Sequence, residues 1–284
     1  MILSRRQMLQ LSAGVAATSI LGTRWGQSAA AAATGKIPVG LELWSVRQQC
    51  EKELPAVLRA VAQMGYQSVE LAHSYYGHDE AAWHKLLEEN GLKSCGMHMG
   101  LAALQGDAFN KTVEIHKAIG TPCLIVASLP QQSLASLPSI VETGKQFNEL
   151  AERLAAHGMK IGYHCHGGDF AKVDGRTAWE LFGENTASDV LLQLDIGNCL
   201  GGGGDPIGML KKFPGRSVSL HIKDYGGKPG AVFGEGTVNW PEVFDICETT
   251  GGTKQYIIEE EGRSGPEALE DVRRAFQNFR KMGK

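Results

Sequence analysis

Several short stretches of this chain combine imidazoles and carboxylates with otherwise apolar surroundings. "YHCH" holds His164 and His166, "LQLDIG" holds Asp195, "LHIKDY" holds His221, Lys223 and Asp224, and "YIIEEEG" runs into Glu259, Glu260 and Glu261. Further upstream, "SVELAH" carries Glu70 and His73, and "CGMHMG" carries His98. Side chains alternate across an extended strand, so His164 with His166, His221 with Lys223, and Glu259 with Glu261 each share a face. An apolar strand that runs into glutamates raises an electrostatic problem, because a buried carboxylate is costly unless a cation meets it. Two imidazoles, an aspartate and a glutamate converging on one point suit a divalent ion such as Mn²⁺, Zn²⁺, Co²⁺ or Fe²⁺, with Mg²⁺ a further candidate. Taken singly, each of these residues also has a plainer reading. A histidine at a strand end can be a satisfied polar residue, Asp195 before Ile-Gly-Asn can be a turn residue, and Glu260 can face solvent or pair with a base.

The elements that must position these groups alternate regularly. "KIPVGLELW", "QSVELA", "KSCGMHMG", "CLIVAS", "MKIGYHCH", "VLLQLDIG", "SVSLHIKDY" and "QYIIEEE" read as strands. Between and after them, "LPAVLRAVAQMGY", "DEAAWHKLLEENGL", "AFNKTVEIHKAIG", "LPSIVETGKQFNELAERLAAHG", "DGRTAWELFGEN", "DPIGMLKKFPG", "NWPEVFDICETTGG" and "GPEALEDVRRAFQNFRKMG" read as helices. Several of these helices stop at a glycine shortly before the next strand. Strands separated by helices are parallel crossovers. Eight such units predict a closed (β/α)₈ barrel, a TIM barrel, as one domain over residues 34–284, with a doubly wound open sheet as the alternative. In such a barrel the chemistry sits where the strands end, and that is where the histidines and acids fall. The "GGGGD" loop, Gly201 to Asp205, predicts a sharp turn or a close approach of backbone to a ligand.

Residues 1–33 stand apart from that pattern. Ser4-Arg5-Arg6-Gln7-Met8-Leu9, then a weakly apolar Ala/Gly-rich stretch and an alanine run, predict a twin-arginine export signal cleaved near Ala30 to Ala33 and a periplasmic or exported protein. The apolar part is too short for a membrane span, so no stable membrane insertion is expected after cleavage. Removing Arg5, Arg6 and Arg24, with no acid, takes the formal charge from −3 to −6. That balance argues against a nucleic-acid partner. The cysteines are scattered, with no C-x-x-C pair, and read mostly as small buried residues.

The order of "GYQSVEL", "YHCHGGDF", "QLDIGNCLGGGGDP", "LHIKDY", "FGEGTVNW" and "YIIEEEG" resembles the sugar phosphate isomerase/epimerase family of xylose isomerase-like barrels, within a subgroup marked by Y-H-x-H. The resemblance spans the chain after residue 33. It implies one divalent metal ion held by His164, Asp195, His221 and Glu259, with His166 as the fallback for His164. It implies a carbohydrate substrate, and an isomerase or epimerase that abstracts the proton α to a carbonyl through a metal-stabilised enediolate. Glu259 would be the base. Lys223, its pKa pulled down by the metal, would act as an acid, and His98 and Glu70 would orient hydroxyls or donate protons. Trp44, His166, Trp240 and Glu261 would contact the sugar, the two tryptophans by stacking. Where the family's epimerases carry a glutamate, this chain carries His164. Symmetric two-carboxylate epimerisation therefore loses ground to single-base isomerisation or to a keto-sugar or inosose-type dehydratase that eliminates water. A non-catalytic sugar-binding barrel and an endonuclease IV-like phosphodiesterase are the readings from other classes. Barrels of this family often form homodimers.

Overall fold

The computed structural model describes residues 36–284. The predicted export signal and its cleavage site lie outside the described residues. Ten strands are numbered in chain order. Eight of them, β1 (Val39–Glu42), β2 (Ser68–Ala72), β3 (Lys93–Gly100), β4 (Cys123–Ser128), β5 (Lys160–His164), β8 (Leu191–Gln193), β9 (Ser219–His221) and β10 (Gln255–Ile258), form one sheet ordered β8-β5-β4-β3-β2-β1-β10-β9. Every pairing in it is parallel. The two ends of this order approach through one bridge, Asp195 to His221. His221 N donates to Leu194 O at 3.0 Å, and Leu192 N donates to Arg216 O at 3.0 Å. The sheet is thus a nearly closed barrel, as the alternation of segments predicts. Its strands are buried almost throughout, which is why they read as apolar runs.

The helices wrap this barrel. They are α1 (Arg47–Met64), α2 (Glu80–Glu89), α3 (Ala108–Ile119), α4 (Leu137–Ala155), α5 (Ala178–Glu184), α6 (Ile196–Gly201), α7 (Pro206–Lys212), α8 (Trp240–Ile246) and α9 (Pro266–Lys281). Local chemistry sets their ends. Asp79 caps α2 through Ala82 N, and Ser136 with Ser139 forms a capping box at α4. Gly65 closes α1 with φ of 108°, a left-handed conformation that a Cβ disfavours. Apolar helix faces meet the outer faces of the strands, burying Trp83, Phe147, Trp179, Phe182, Phe244 and Phe279.

Three local expectations change. α1 begins at Arg47, a full two turns early, and bends at Glu53 (φ −153°) ahead of Pro55, whose ring cannot continue a straight helix. The "DGRT" part of the fifth predicted helix is a small hairpin, β6 (Lys172–Val173) with β7 (Arg176–Thr177), turned by Asp174 and Gly175 at φ of 49° and 83°. The residues after Asp195 do not extend the strand. They form α6, because Asp195 Oδ1 accepts from Asn198 N at 2.7 Å and caps it.

Candidate metal centre

The carboxyl ends of the strands deliver the polar residues to one place inside the barrel mouth. Register explains how. Glu42 of β1 pairs with Glu70 of β2, Ala72 pairs with His98 of β3, and His164 of β5 pairs with Gln193 of β8. His221 of β9 pairs with Ile257 of β10, so Glu259, two residues on, projects beside it. His164, Asp195, His221 and Glu259 each offer a ligand atom, all within 4.8 Å of one another, and all four are buried. These are the four residues named from the sequence.

The hydrogen bonds fix how those groups are presented. The amide of Gln193 donates through Nε2 to Glu70 Oε1 at 2.9 Å and to Ser219 Oγ at 3.0 Å. Its Oε1 therefore accepts, from His164 Nδ1 at 3.0 Å and from His98 Nε2 at 2.7 Å. With Nδ1 carrying the proton, His164 keeps the Nε2 lone pair free for an ion. Burial, with His221 and His98 nearby, holds His164 well below the usual imidazole range, so it is neutral, the form that ligates. His221 Nε2 donates to Glu70 Oε2 at 2.7 Å, while Nδ1 lies 3.0 Å from Glu259 Oε2 and 3.9 Å from Asp195 Oδ2. A neutral His221 would aim a lone pair at a carboxylate, so that contact needs either a proton or a cation. Burial alone would lower His221, but its bonds to Glu259 and Glu70 hold it at about 9.

Asp195 supplies the sharpest sign of a missing partner. Its Oδ1 is used in capping α6, yet Oδ2 is buried and accepts no hydrogen bond. Burial pushes the carboxyl up to about 6 against the pull of Lys223. A buried oxygen that accepts no hydrogen bond is costly, Lys223 Nζ at 3.6 Å offsets it only in part, and a divalent ion between Asp195, Glu259, His221 and His164 would satisfy it. The oxygen and nitrogen donor set fits Mn²⁺, Fe²⁺, Co²⁺ or Zn²⁺.

The other sequence-predicted residues fall differently. Lys223 Nζ lies 3.4 Å from Glu259, 3.6 Å from Asp195 and 2.5 Å from Glu261. Burial would lower it, but these carboxylates more than compensate and push it up. These three acids stabilise its charge, and the lowering expected for Lys223 is one that a bound cation would have to bring about. Glu70 is 0% and His98 4% exposed. They are as deeply buried as the four candidate ligands and hydrogen-bond within the cluster, Glu70 to His221 and Gln193 and His98 to Gln193. Gly96 makes this possible, because a Cβ there would sit 2.2 Å from Glu70 Oε1.

At the rim, His166 is exposed, with its ring 5.0 Å from that of His164, and Glu261 points outward. Trp44 is 36% exposed and stands edge-on to His73 at 6.1 Å, with the Arg47 guanidinium over its ring at 4.2 Å. Trp240 corrects the expectation of a stacking platform. It is 2% exposed and packs on Phe233 and Phe244, while its Nε1 donates to Asp224 Oδ2 at 2.9 Å. Asp224 also accepts from Gly234 N and Val238 N, so it organises the "GEGTVNW" loop.

Glu260 corrects the expectation of a solvent-facing acid. It is buried, accepts from Phe233 N at 2.8 Å, and is pushed by burial up to about 8. The "GGGGD" loop packs closely on the chain itself: a Cβ at Gly202 would lie 2.3 Å from Gly167 O, and one at Gly204 would strike Phe170 and Cys199. The six cysteines are free and buried, as their scatter implies. Two residues escaped the sequence reading, Gln193 and Glu42. Both interrupt apolar strands, in "LLQLD" and "GLELW", and Gln193 shares a face with Asp195, which was the available signal.

Comparison with known proteins follows this geometry. Residues 58–282 match the family described as xylose isomerase-like TIM barrel. A sugar phosphate isomerase/epimerase structure from Parabacteroides distasonis ATCC 8503 superposes with TM-score 0.75 at 23% identity, covering 93% of this chain and 97% of that one. A probable 3-DHS dehydratase involved in petrobactin synthesis from Bacillus anthracis superposes with TM-score 0.62 at 17% identity, covering 86% and 98%. At these identities the likeness establishes the fold. Among curated proteins, the rhizopine catabolism protein MocC of Rhizobium meliloti is 26% identical over 137 residues, a match spanning 42% of this chain and 42% of that relative.

Proposed function

The chain belongs to the xylose isomerase-like TIM barrel family, and from its barrel mouth we propose a divalent-metal-dependent isomerase or epimerase acting on a sugar or keto-sugar. The observation that carries this reading is Asp195 Oδ2, buried and without a hydrogen bond, facing His221, Glu259 and, at 3.6 Å, Lys223 Nζ. His164, Asp195, His221 and Glu259 would hold the ion. When bound, such an ion supplies a Lewis acid at a substrate carbonyl and offsets the negative charge that develops on its oxygen. Glu259 takes the proton α to that carbonyl. Burial would raise Glu259, but His221 and Lys223 override it and hold the carboxylate well below its usual range, so it stands ready in the base form. Lys223 keeps its charge and binds a substrate oxygen through Nζ. His166 and Glu261 orient hydroxyls at the rim, and Trp44 offers an apolar face to the sugar ring.

The asymmetry of the site favours a second reading. A carboxylate stands at Glu259, but the opposite position is His164, whose lone pair would be committed to the ion. One base and one ammonium suffice for β-elimination, so a keto-sugar dehydratase is the alternative, and a barrel of the same fold is described as a probable 3-DHS dehydratase. Twin-arginine export to the periplasm belongs to the same proposal and rests on Ser4 to Leu9.

The test is α-proton exchange in D₂O across a panel of keto-sugars, with the protein reconstituted in Mn²⁺, Co²⁺ or Zn²⁺. Deuterium uptake without loss of water supports isomerisation, and uptake with a dehydrated product supports elimination. Either should vanish in Asp195→Asn. A protein that binds no divalent metal after reconstitution overturns both readings.

A further inference from the structure

One polar residue at the mouth has no role in the reading above. His73 follows β2 and opens the loop that leads to α2. It is exposed, and its φ of 55° lies in the left-handed region, which costs any residue that carries a Cβ. The backbone is held there, since His73 N donates to His98 O at 2.9 Å. The rest of the loop is spent on its own support. Tyr75 O accepts from Trp83 Nε1 at 3.0 Å, the Tyr75 hydroxyl meets His116 Nε2 at 3.0 Å, and Tyr76 N donates to Ser74 Oγ at 3.0 Å. Among the described residues, no group hydrogen-bonds the ring nitrogens of His73.

The neighbours of this ring run from the candidate ligands to the rim. Its centroid lies 6.3 Å from the ring of His98, which is 4.6 Å from the ring of His164. It also stands 6.1 Å from Trp44, an indole braced by Arg47, whose Nη1 donates to Trp44 O at 2.6 Å. Partial burial, with His98 and His166 nearby, holds His73 below the usual imidazole range. A neutral imidazole offers one donor and one acceptor nitrogen, which is what a hydroxyl group needs. Strained backbone that a rigid loop maintains, under a side chain with unused polar atoms, is characteristic of ligand contacts.

We infer that His73 and Trp44 form a distal subsite that reads the far hydroxyl end of a five- or six-carbon keto-sugar, with the carbonyl end at His164, Asp195, His221 and Glu259. This rests on the proposed function and adds to it the size and orientation of the sugar. Trp44 packs on the carbon chain. His73 exchanges a hydrogen bond with a hydroxyl beyond the carbons that react, so it sets which sugar binds and takes no part in the proton transfer. A three-carbon ketone occupies the reacting end alone and gains nothing from His73.

The experiment is isothermal titration of the purified full chain, reconstituted with Mn²⁺, against D-ribulose, D-fructose and their stereoisomers, and against dihydroxyacetone. His73→Gly removes the ring and suits the left-handed backbone, so its urea midpoint and Mn²⁺ content should equal or exceed those of the wild type. Its affinity for the keto-sugar that the wild type binds best should fall about three- to tenfold, the worth of one hydrogen bond. Dihydroxyacetone should bind both proteins equally. His73→Asn tolerates the same backbone and restores a donor and an acceptor, so it should recover part of the loss. Equal keto-sugar affinity in wild type and His73→Gly, or an equal loss for dihydroxyacetone, overturns the subsite and leaves the proposed function standing. A lower urea midpoint or Mn²⁺ content in His73→Gly makes the residue a support of the fold and overturns the subsite as well. A Mn²⁺-loaded wild type that binds none of these sugars overturns both.

Discussion

Gln193 shows how one uncharged side chain organises a charged site. Its amide spends both donors on Glu70 and Ser219 and its carbonyl on His98 and His164. Outer partners of metal ligands set tautomer and ring orientation, and their loss typically costs about 10–100-fold in metal affinity. Gln193→Met keeps the volume and removes the hydrogen bonds. It should weaken Mn²⁺ or Zn²⁺ binding by about that factor and cost about 1–3 kcal/mol for the polar groups left unpaired. Isothermal titration and urea unfolding measure the two effects separately. An unchanged affinity would mean that His164 is oriented by something other than Gln193.

The elements carry their own predictions. Gly202 and Gly167 bring two loops into backbone contact, and a Cβ on Gly202 would meet Gly167 O at 2.3 Å. Backbone cannot give way as a flexible side chain can, so Gly202→Ala should destabilise by about 1–3 kcal/mol, read as a lower urea midpoint with unchanged slope. On α3, His116 is fully buried, 3.0 Å from the Tyr75 hydroxyl, with Nδ1 unpartnered. Burial pushes its pKa down to about 4, below the usual 6.5 of an imidazole. The unfolded chain therefore binds a proton below about pH 6.5 that the folded protein refuses until about pH 4. Stability falls as pH drops through that window, by up to about 3 kcal/mol. His116→Gln should flatten the dependence of the urea midpoint between pH 7 and pH 5, and parallel curves for the two proteins would refute the assignment.

For the molecule as a whole, the seam of the barrel coincides with the candidate metal centre. β8 and β9 meet through the Asp195–His221 bridge, and both residues are candidate ligands. An ion bound there ties the first and last strands of the sheet order together, so ligand binding becomes folding free energy. At metal concentrations about 100-fold above Kd the gain is about 2.7 kcal/mol. Chelation should then lower Tm by roughly 5–10 °C and speed amide exchange at His221 and Leu192 before the rest of the barrel. Exchange that accelerates uniformly, or a Tm indifferent to chelator, would separate the seam from the metal.

The sequence by itself determined the alternation of strands and helices, and with it the barrel, because apolar periodicity and glycine stops are local signals. It also determined which strand ends carry His164, Asp195, His221 and Glu259, since a barrel sends all its strand ends to one mouth. Other features depend on which distant groups meet. Gln193 and Glu70 are 123 residues apart, and Trp240 is buried because Asp224 and Phe233 fold over it. Glu260 is internal because a loop amide at Phe233 reaches it, and Lys223 is held charged because three acids converge on it. Burial and hydrogen-bond partners are properties of the packed chain, so a side chain's type announces its chemistry while only the tertiary structure decides whether it faces a substrate, an ion or the core.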